Sequence, residues 1–319
     1  MTQVLVTGGA GFIGSHTTEA ILARGDEVIC LDNFNDFYSP ARKRANVALL
    51  EGHPRYRLYE GDIRDAGLLE RLFAAEKPDK VVHIAAMANV RYSIEHPELY
   101  ESVNVRGLLN VLEMARRYQV SNLVFASTSS VYGADSSVPF REDASCDRPL
   151  APYPASKRAG ELFCYSYHHL YGLPCTCLRF FTVYGPRGRP DMAPYLFTQW
   201  VFDGAPLKMF GDGSTYRDYT YIDDIVAGVV AAVDADLPFE IINLGNSQTV
   251  MLRDFITLVE DLVGRQANIV RLPPQPGDVP RTYADISKAR RLLGYDPKTP
   301  FAEGLARFVE WYRREVHRS

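Results

Sequence analysis

The chain has 319 residues, 46% of them apolar and 23% charged, a globular composition with material for about two domains. Lysine and arginine total 35 against 39 aspartates and glutamates, a net charge of −4, which excludes the basic surface of a nucleic-acid binder and the acidic tail of a disordered chain. The longest apolar run, Ile225 to Val233, has nine residues, well short of the about 20 that a membrane span needs. The N-terminal Met-Thr-Gln-Val-Leu-Val-Thr carries no positive stretch, so no signal peptide is read and a cytoplasmic location is expected.

Val4-Leu5-Val6 reads as a first strand, followed by a glycine-rich turn at 8–11 and a helix to about Arg24. Strands are expected at Glu27 to Leu31, Tyr56 to Tyr59, Lys80 to Ile84, Leu123 to Ala126 and Cys175 to Phe180, with helices around 66–76, 97–118 and 153–171. Buried strands alternating with crossover helices predict an α/β fold, a Rossmann-type doubly wound parallel sheet with helices on both faces. After Gly185 the texture changes to short mixed elements, with turn signals at Gly211-Asp212-Gly213 and Pro273 to Gly277. Asp223 to Val233 and Glu240 to Leu244 read as a helix and a buried strand returning to the main sheet. The expected division is therefore 1–184 with 217–247, and a smaller discontinuous α/β unit of 185–216 with 248–319.

Five cysteines, Cys30, Cys146, Cys164, Cys175 and Cys177, lack a neighbouring histidine to complete a metal set. They are read as reduced small hydrophobes, and no metal is expected. His168-His169 is read as a surface or interface pair.

Residues 7–14, Thr-Gly-Gly-Ala-Gly-Phe-Ile-Gly, place Gly8, Gly11 and Gly14 at G-x-x-G-x-x-G spacing between a strand and a helix. Such a turn brings backbone close to a pyrophosphate and offers it a helix N-terminus; the same pattern also serves as a turn without a ligand. Asp32 follows the second strand, 18 residues after Gly14, where a carboxylate accepts from a ribose diol and repels a 2′-phosphate, favouring NAD over NADP. Arg42-Lys43-Arg44 is a competing phosphate signal, or the start of a solvated helix, or a cap on the adenine pocket. Asp62-Ile63 and Ala85-Ala86 follow the third and fourth strands, at the sheet edge where such folds bind ligands.

Tyr153 and Lys157 stand four apart on a helix and so share a face. With 19 tyrosines and seven lysines in the chain, chance gives roughly 0.4 such pairs, so chemistry rather than spacing carries the reading. A phenol of pKa about 10 becomes a usable base beside a cation, and Lys157 supplies one. Ser127-Thr128-Ser129-Ser130 puts four hydroxyls at the end of a parallel strand, suited either to a polyhydroxylated ligand or to local backbone bonds. No G-x-S-x-G, H-E-x-x-H or Walker A pattern competes.

Together, residues 7–14, the Ser-Thr-Ser-Ser-Val-Tyr-Gly segment at 127–133 and Tyr-Pro-Ala-Ser-Lys at 153–157 resemble the extended short-chain dehydrogenase/reductase family, over essentially the whole chain. Residues 31–36, 90–95, 188–192 and 275–280 are similar to those of the UDP-glucuronate 4-epimerases within it. The resemblance implies a tightly held, recycled NAD, a UDP-sugar substrate and a homodimer built on the helices around 97–118 and 153–171. Tyr153 would take the proton from the sugar O4, helped by Thr128, with Lys157 beside it. The cofactor would lie against Gly8, Gly11, Phe12, Ile13 and Gly14, then Asp32, Asn33, Asn35 and Lys43. Further along it would meet Asp62, Ile63, Ala85, Ala86, Ala88, Asn104, Tyr153, Lys157 and Phe180, with Lys157 on the nicotinamide ribose. The nucleotide sugar would meet Arg91, Ser129, Ser130, Thr182, Arg189, Arg217, Gln275 and Asp278.

Related dehydratases carry an Asp-Glu pair after the catalytic Thr, and decarboxylases a Glu before Val-Tyr-Gly; here those places are Ser129 and Ser130. The hydroxyls and the Arg189 cation would hold a sugar carboxylate away from the geometry in which a 4-keto uronate loses carbon dioxide. An arginine matches Gln275 in UDP-galactose 4-epimerases, which makes Arg217 the expected diphosphate cation. The alternatives are a neutral UDP-glucose/UDP-galactose-type 4-epimerase, a net reductase with exchanging cofactor, and a non-catalytic NAD-binding sensor. The last would be expected to lack the Tyr or the Lys.

Overall fold

Six runs rich in Val, Ile, Leu or Cys and one more polar run, Tyr56–Glu60, form one parallel sheet. The computed structural model describes residues 1–134, 137–274 and 279–317. Its first half comprises β1 (Gln3–Thr7), α1 (Phe12–Ala23), β2 (Glu27–Asp32), α2 (Pro40–Ala48), β3 (Tyr56–Glu60), α3 (Ala66–Glu76), β4 (Lys80–His83), α4 (Val90–Glu95), α5 (Pro97–Tyr100), α6 (Gly107–Arg117), β5 (Asn122–Thr128), α7 (Pro152–Tyr171) and β6 (Cys175–Phe180). There follow β7 (Thr182–Tyr184), α8 (Ala193–Asp203), β8 (Pro206–Phe210), β9 (Tyr216–Arg217), β10 (Tyr219–Tyr221), α9 (Ile222–Asp234), β11 (Phe239–Leu244), β12 (Val250–Met251), α10 (Leu252–Val263), β13 (Asn268–Leu272), α11 (Ser287–Leu293) and α12 (Phe301–Glu315).

The large sheet has the order β11-β6-β5-β4-β1-β2-β3, and all its pairings are parallel. The order of strands reverses between β1 and β4, and in such sheets the crevice opens at the carboxyl ends of the strands at that switch. Strand alternation sorts the core into two layers. Val4, Val6, Cys30, Val82 and Val124 pack on one face, and Leu5, Ile29, Leu31, Val81 and Leu123 on the other, the period of two expected of sheets buried on both sides. Cys175 and Cys177 share the second layer with Cys164. All five cysteines are free and buried.

Beyond β6 one strand, β11, returns to the large sheet, and among the described residues the others pair in twos: β7 with β10, β9 with β12 and β8 with β13. Among the described residues no helix is long and apolar enough to cross a membrane.

The helix expected around 97–118 runs without interruption from 97 to 117, as α5, a π-helical segment Glu101–Arg106, and α6; the sequence did not show the π-helical turn. Gly107 begins α6 where a Cβ would lie 2.5 Å from Ile63 Cδ1, so the helix passes tightly over the β3–α3 turn. The widened turn points Asn104 inward, 2% exposed; π-bulges of this kind collect at functional sites.

Candidate active site

A cavity of about 750 Å³ opens over the carboxyl ends of β1, β2, β4 and β5. One wall is the sheet side, with Gly8, Gly11, Phe12, Ile13, Gly14, Asp32, Asp62, Ala85, Thr128, Tyr153, Lys157 and Phe180. The opposite wall comes from later elements, with Arg189, Trp200, Lys208, Phe210, Arg217 and Leu252.

The glycine loop is closed by contact. Gly8 has φ +73, and a Cβ there would stand 2.7 Å from the Ala85 amide nitrogen; one on Gly14 would stand 2.0 Å from the Gly8 carbonyl. No side chain caps α1 at Gly11, so its first N–H groups are available to an anion. Asp32 accepts from the backbone of Ala10 (3.1 Å) and Phe34 (2.9 Å). Burial raises its pKa, and those N–H groups together with the Lys43 cation oppose the rise. Asn33 donates to Asp62 at 2.8 Å. The Arg64 guanidinium, first among the causes, holds the Asp62 carboxyl down at about 2.

The basic triplet separates. Lys43 lies on the wall and donates to both oxygens of Asn35, each at 2.9 Å. Arg44 pairs with Glu60 at 3.0 Å, and Arg42 donates to the Tyr195 hydroxyl. Asn33, Asn35, Ile63, Ala86 and Ala88 also reach the cavity. Asn104 does not line it. Both ends of its amide are spent on Met87 N (2.8 Å), Met87 O (3.0 Å) and Ser156 Oγ (2.9 Å). It supports the wall from behind, through Met87.

Tyr153 and Lys157 follow Pro152 in the first turns of α7 and both face the cavity. Lys157 donates to the Ala126 carbonyl at 2.7 Å, lies over the Phe125 ring, and is brought down to about 7 by burial. Burial raises the Tyr153 phenol, while a Thr128 hydrogen bond and the Arg189 cation pull it back. The sequence pointed to Lys157 as the tuning cation; the structure adds Arg189 from a loop 32 residues further on.

The four hydroxyls divide. Ser127 donates to Glu161 at 2.6 Å, which is locked to the buried Arg179 at 2.8 Å; Ser127 is a strut. Thr128 accepts from the Ser130 backbone (3.2 Å) and meets the Ser130 hydroxyl (3.3 Å), so the local bonding also occurs. Ser129, Ser130 and Thr182 all line the cavity, as do Arg91 and Arg217. Gln275 and Asp278 lie outside the described residues.

Sequence reading missed Trp200, Lys208 and Phe210, which come from α8 and β8, and Arg91 lies over the Phe210 ring. It also missed Asp218, wholly buried beside Arg217. This carboxylate accepts from the backbone of Asn246 (2.8 Å), Ser247 (3.1 Å) and Ala284 (3.1 Å), and burial pushes it up to about 6. An acid between an arginine and an aromatic strand run, Tyr219-Thr220-Tyr221, was the available signal.

A model of the family described as GDP-mannose 4,6 dehydratase matches residues 5–308. The chain belongs to the extended short-chain dehydrogenase/reductases. This reductase-family chain is 43% identical to the UDP-glucuronate 4-epimerase of Thermodesulfobacterium geofontis, over 99% of its own length and 98% of the relative's. Its fold superposes with a TM-score of 0.92 and 36% identity on the UDP-glucuronic acid 4-epimerase of Bacillus cereus, solved with UDP-glucuronic acid and NAD, covering 98% of this chain and 99% of that one. The UDP-glucose 4-epimerase of Thermotoga maritima, solved with UDP-glucose, gives 0.91 and 33%, with coverage of 98% and 99%.

Proposed function

We propose that this family member is a NAD-dependent UDP-glucuronate 4-epimerase, interconverting UDP-glucuronate and UDP-galacturonate through a 4-keto sugar. The observation that carries the reading is that Tyr153, Lys157, Thr128 and Arg189 line the same cavity as the glycine loop and Asp32. The glycine cradle, where a Cβ on Gly8 or Gly14 would fill the loop, and the buried Asp32 fit a dinucleotide. Bound there, NAD would supply reversible hydride acceptance from C4. Tyr153 removes the O4 proton and later returns it, and the Thr128 hydrogen bond steadies the phenolate. Lys157, held at the end of β5, carries the adjacent positive charge. Ser129 and Ser130 bring hydroxyls, and no acid, to the places where related dehydratases and decarboxylases hold one, which supports retention of the carboxylate. Arg217 and Arg91 are assigned to the diphosphate, with Gln275 and Asp278 as further contacts.

In this reading residues 1–184 and 217–247 carry the cofactor, and 185–216 and 248–319 the nucleotide sugar. The outer face of α7 exposes Leu162, Tyr165, Leu170 and Tyr171, which supports a homodimer, and the protein is assigned to the cytoplasm. A second reading, epimerisation of a neutral UDP-hexose, is favoured by one observation: Asp191 already matches the Arg189 charge. Incubation with UDP-glucuronate and no added cofactor, with separation of the products, tests both. UDP-galacturonate is expected; a UDP-pentose as main product, or turnover of UDP-glucose alone, overturns the uronate reading.

A further inference from the structure

Arg189 is held on several sides. Its Nε and a terminal nitrogen donate to the two carboxylate oxygens of Asp191 at 3.0 and 2.6 Å, and that same terminal nitrogen reaches the Ala88 carbonyl at 3.3 Å. Asp191 is fastened in turn by the Asn89 amide, which donates to it at 2.9 Å. Asn89 itself has little freedom. Its Oδ1 accepts from the backbone of Arg91 and Tyr92, its carbonyl accepts from the Tyr100 hydroxyl, and its φ is 128°, a value that disfavours side chains and persists only where neighbours enforce it. The loop carrying Arg189 is clamped a second time, by a fork from Arg187 to Glu19 of α1 at 2.6 and 2.8 Å. Ala88, Asn89, Arg189 and Asp191 all line the cavity.

A two-point fork is also how a guanidinium grips any carboxylate. Asp191 thus takes one of the edges by which Arg189 can grip a carboxylate, the Ala88 carbonyl draws on the terminal nitrogen shared with the next edge, and the pair presents little net charge. A 4-keto uronate must turn over inside the cavity between the two half-reactions. A grip that is equally strong before and during that turn lowers KM without helping kcat. An internal competitor weakens the grip.

We propose that Asp191 is a specificity-determining residue whose carboxylate competes with the substrate's carboxylate for Arg189, and that Asn89 keeps the competitor in place. This rests on the uronate reading above. Besides Asp191, the titratable groups facing Arg189 are Tyr153 of α7 and Tyr38 before α2, with Tyr100 of α5 and Lys43 of α2 also within its field.

The test compares Asp191→Asn, Asn89→Gly and Arg189→Gln in the full-length enzyme, reading KM and kcat for UDP-glucuronate and the inhibition constants of UDP and UDP-glucose. Asp191→Asn keeps the shape and removes the competing charge. It should lower KM for UDP-glucuronate about ten-fold, the size of one charge-assisted hydrogen bond regained, lower kcat, and leave both inhibition constants unchanged. Asn89→Gly relieves the backbone and frees Asp191, and should move KM in the same direction by less. A KM that rises or stays put in both variants overturns the proposal, as does an equal shift in the inhibition constants. Arg189→Gln separates the two layers. If it leaves KM for UDP-glucuronate unchanged, the carboxylate does not use Arg189 and the assignment of the uronate site fails. If it raises KM while the other two variants do nothing, only the competition fails.

Discussion

The two walls of the cavity are made differently. The sheet-side wall is largely backbone: strand ends, a glycine turn at van der Waals limits, and the first turns of α7. The opposite wall is assembled from side chains on the loop before α8, on α8, β8, β9 and the start of α10; its strands pair only in twos, and it depends on hydrogen bonds such as those of Asp218. A wall of paired strands holds its shape through many cooperating bonds, whereas one of short pieces depends on a few buried polar groups, each costly to lose.

The largest expected effect tests whether the sheet-side wall is the chemical one. Tyr153→Phe removes only an ionisable oxygen and should cut turnover by about 10²–10⁴-fold while NAD and UDP bind as before; near-normal turnover would assign the base elsewhere. Next is the loop that shapes this wall. Gly14→Ala must displace the Gly8 carbonyl from 2.0 Å, a clash of the order of 1–3 kcal/mol, and calorimetry should show NAD affinity lower by roughly 10- to 100-fold. On the other wall, Asp218→Asn leaves buried N–H donors short of an acceptor, at about 1–3 kcal/mol. UDP affinity should drop about ten-fold and NAD affinity hold; equal loss of both would mean the walls are not separable.

The smallest effect is on stability against pH. The Asp62 carboxyl is lowered from 3.8 to about 2, so its contribution is present above its ordinary pKa and is lost as pH falls through about 2. Asp218 is raised from 3.8 to about 6; the folded state binds its proton more tightly, and that contribution is lost as pH rises through about 6. Melting curves of Asp62→Asn should lose less stability than the parent between pH 5 and pH 2. An unchanged acid limb would place the protective pair elsewhere.

The regular half of the fold was legible because its signals are local. Val4-Leu5-Val6 and Cys175 to Phe180 announce buried strands by composition, and Gly8, Gly11, Gly14 and Asp32 announce a dinucleotide site by spacing. The homologous motifs then supplied the chemistry. The π-helical turn before Gly107 was not legible, since it answers to Ile63 on another turn and not to anything within 97–118. For the same reason nothing within 97–118 showed that Asn104 braces Met87. Trp200 and Lys208 sit on a helix and a strand with ordinary patterns, and nothing in either marks which side faces a ligand.

By itself, then, the sequence determined the sheet, the glycine cradle, and the Tyr153–Lys157 pair on one helical face, because each depends on residues within a few turns of one another. Only the tertiary structure decided that Arg189 stands in the field of Tyr153, that Asp191 and Asn89 restrain it, and that Asp218 gathers three distant backbone amides. Those relations join segments tens of residues apart, and it is the packing of loops over strand ends, without any local periodicity, that brings their charges and donors within reach.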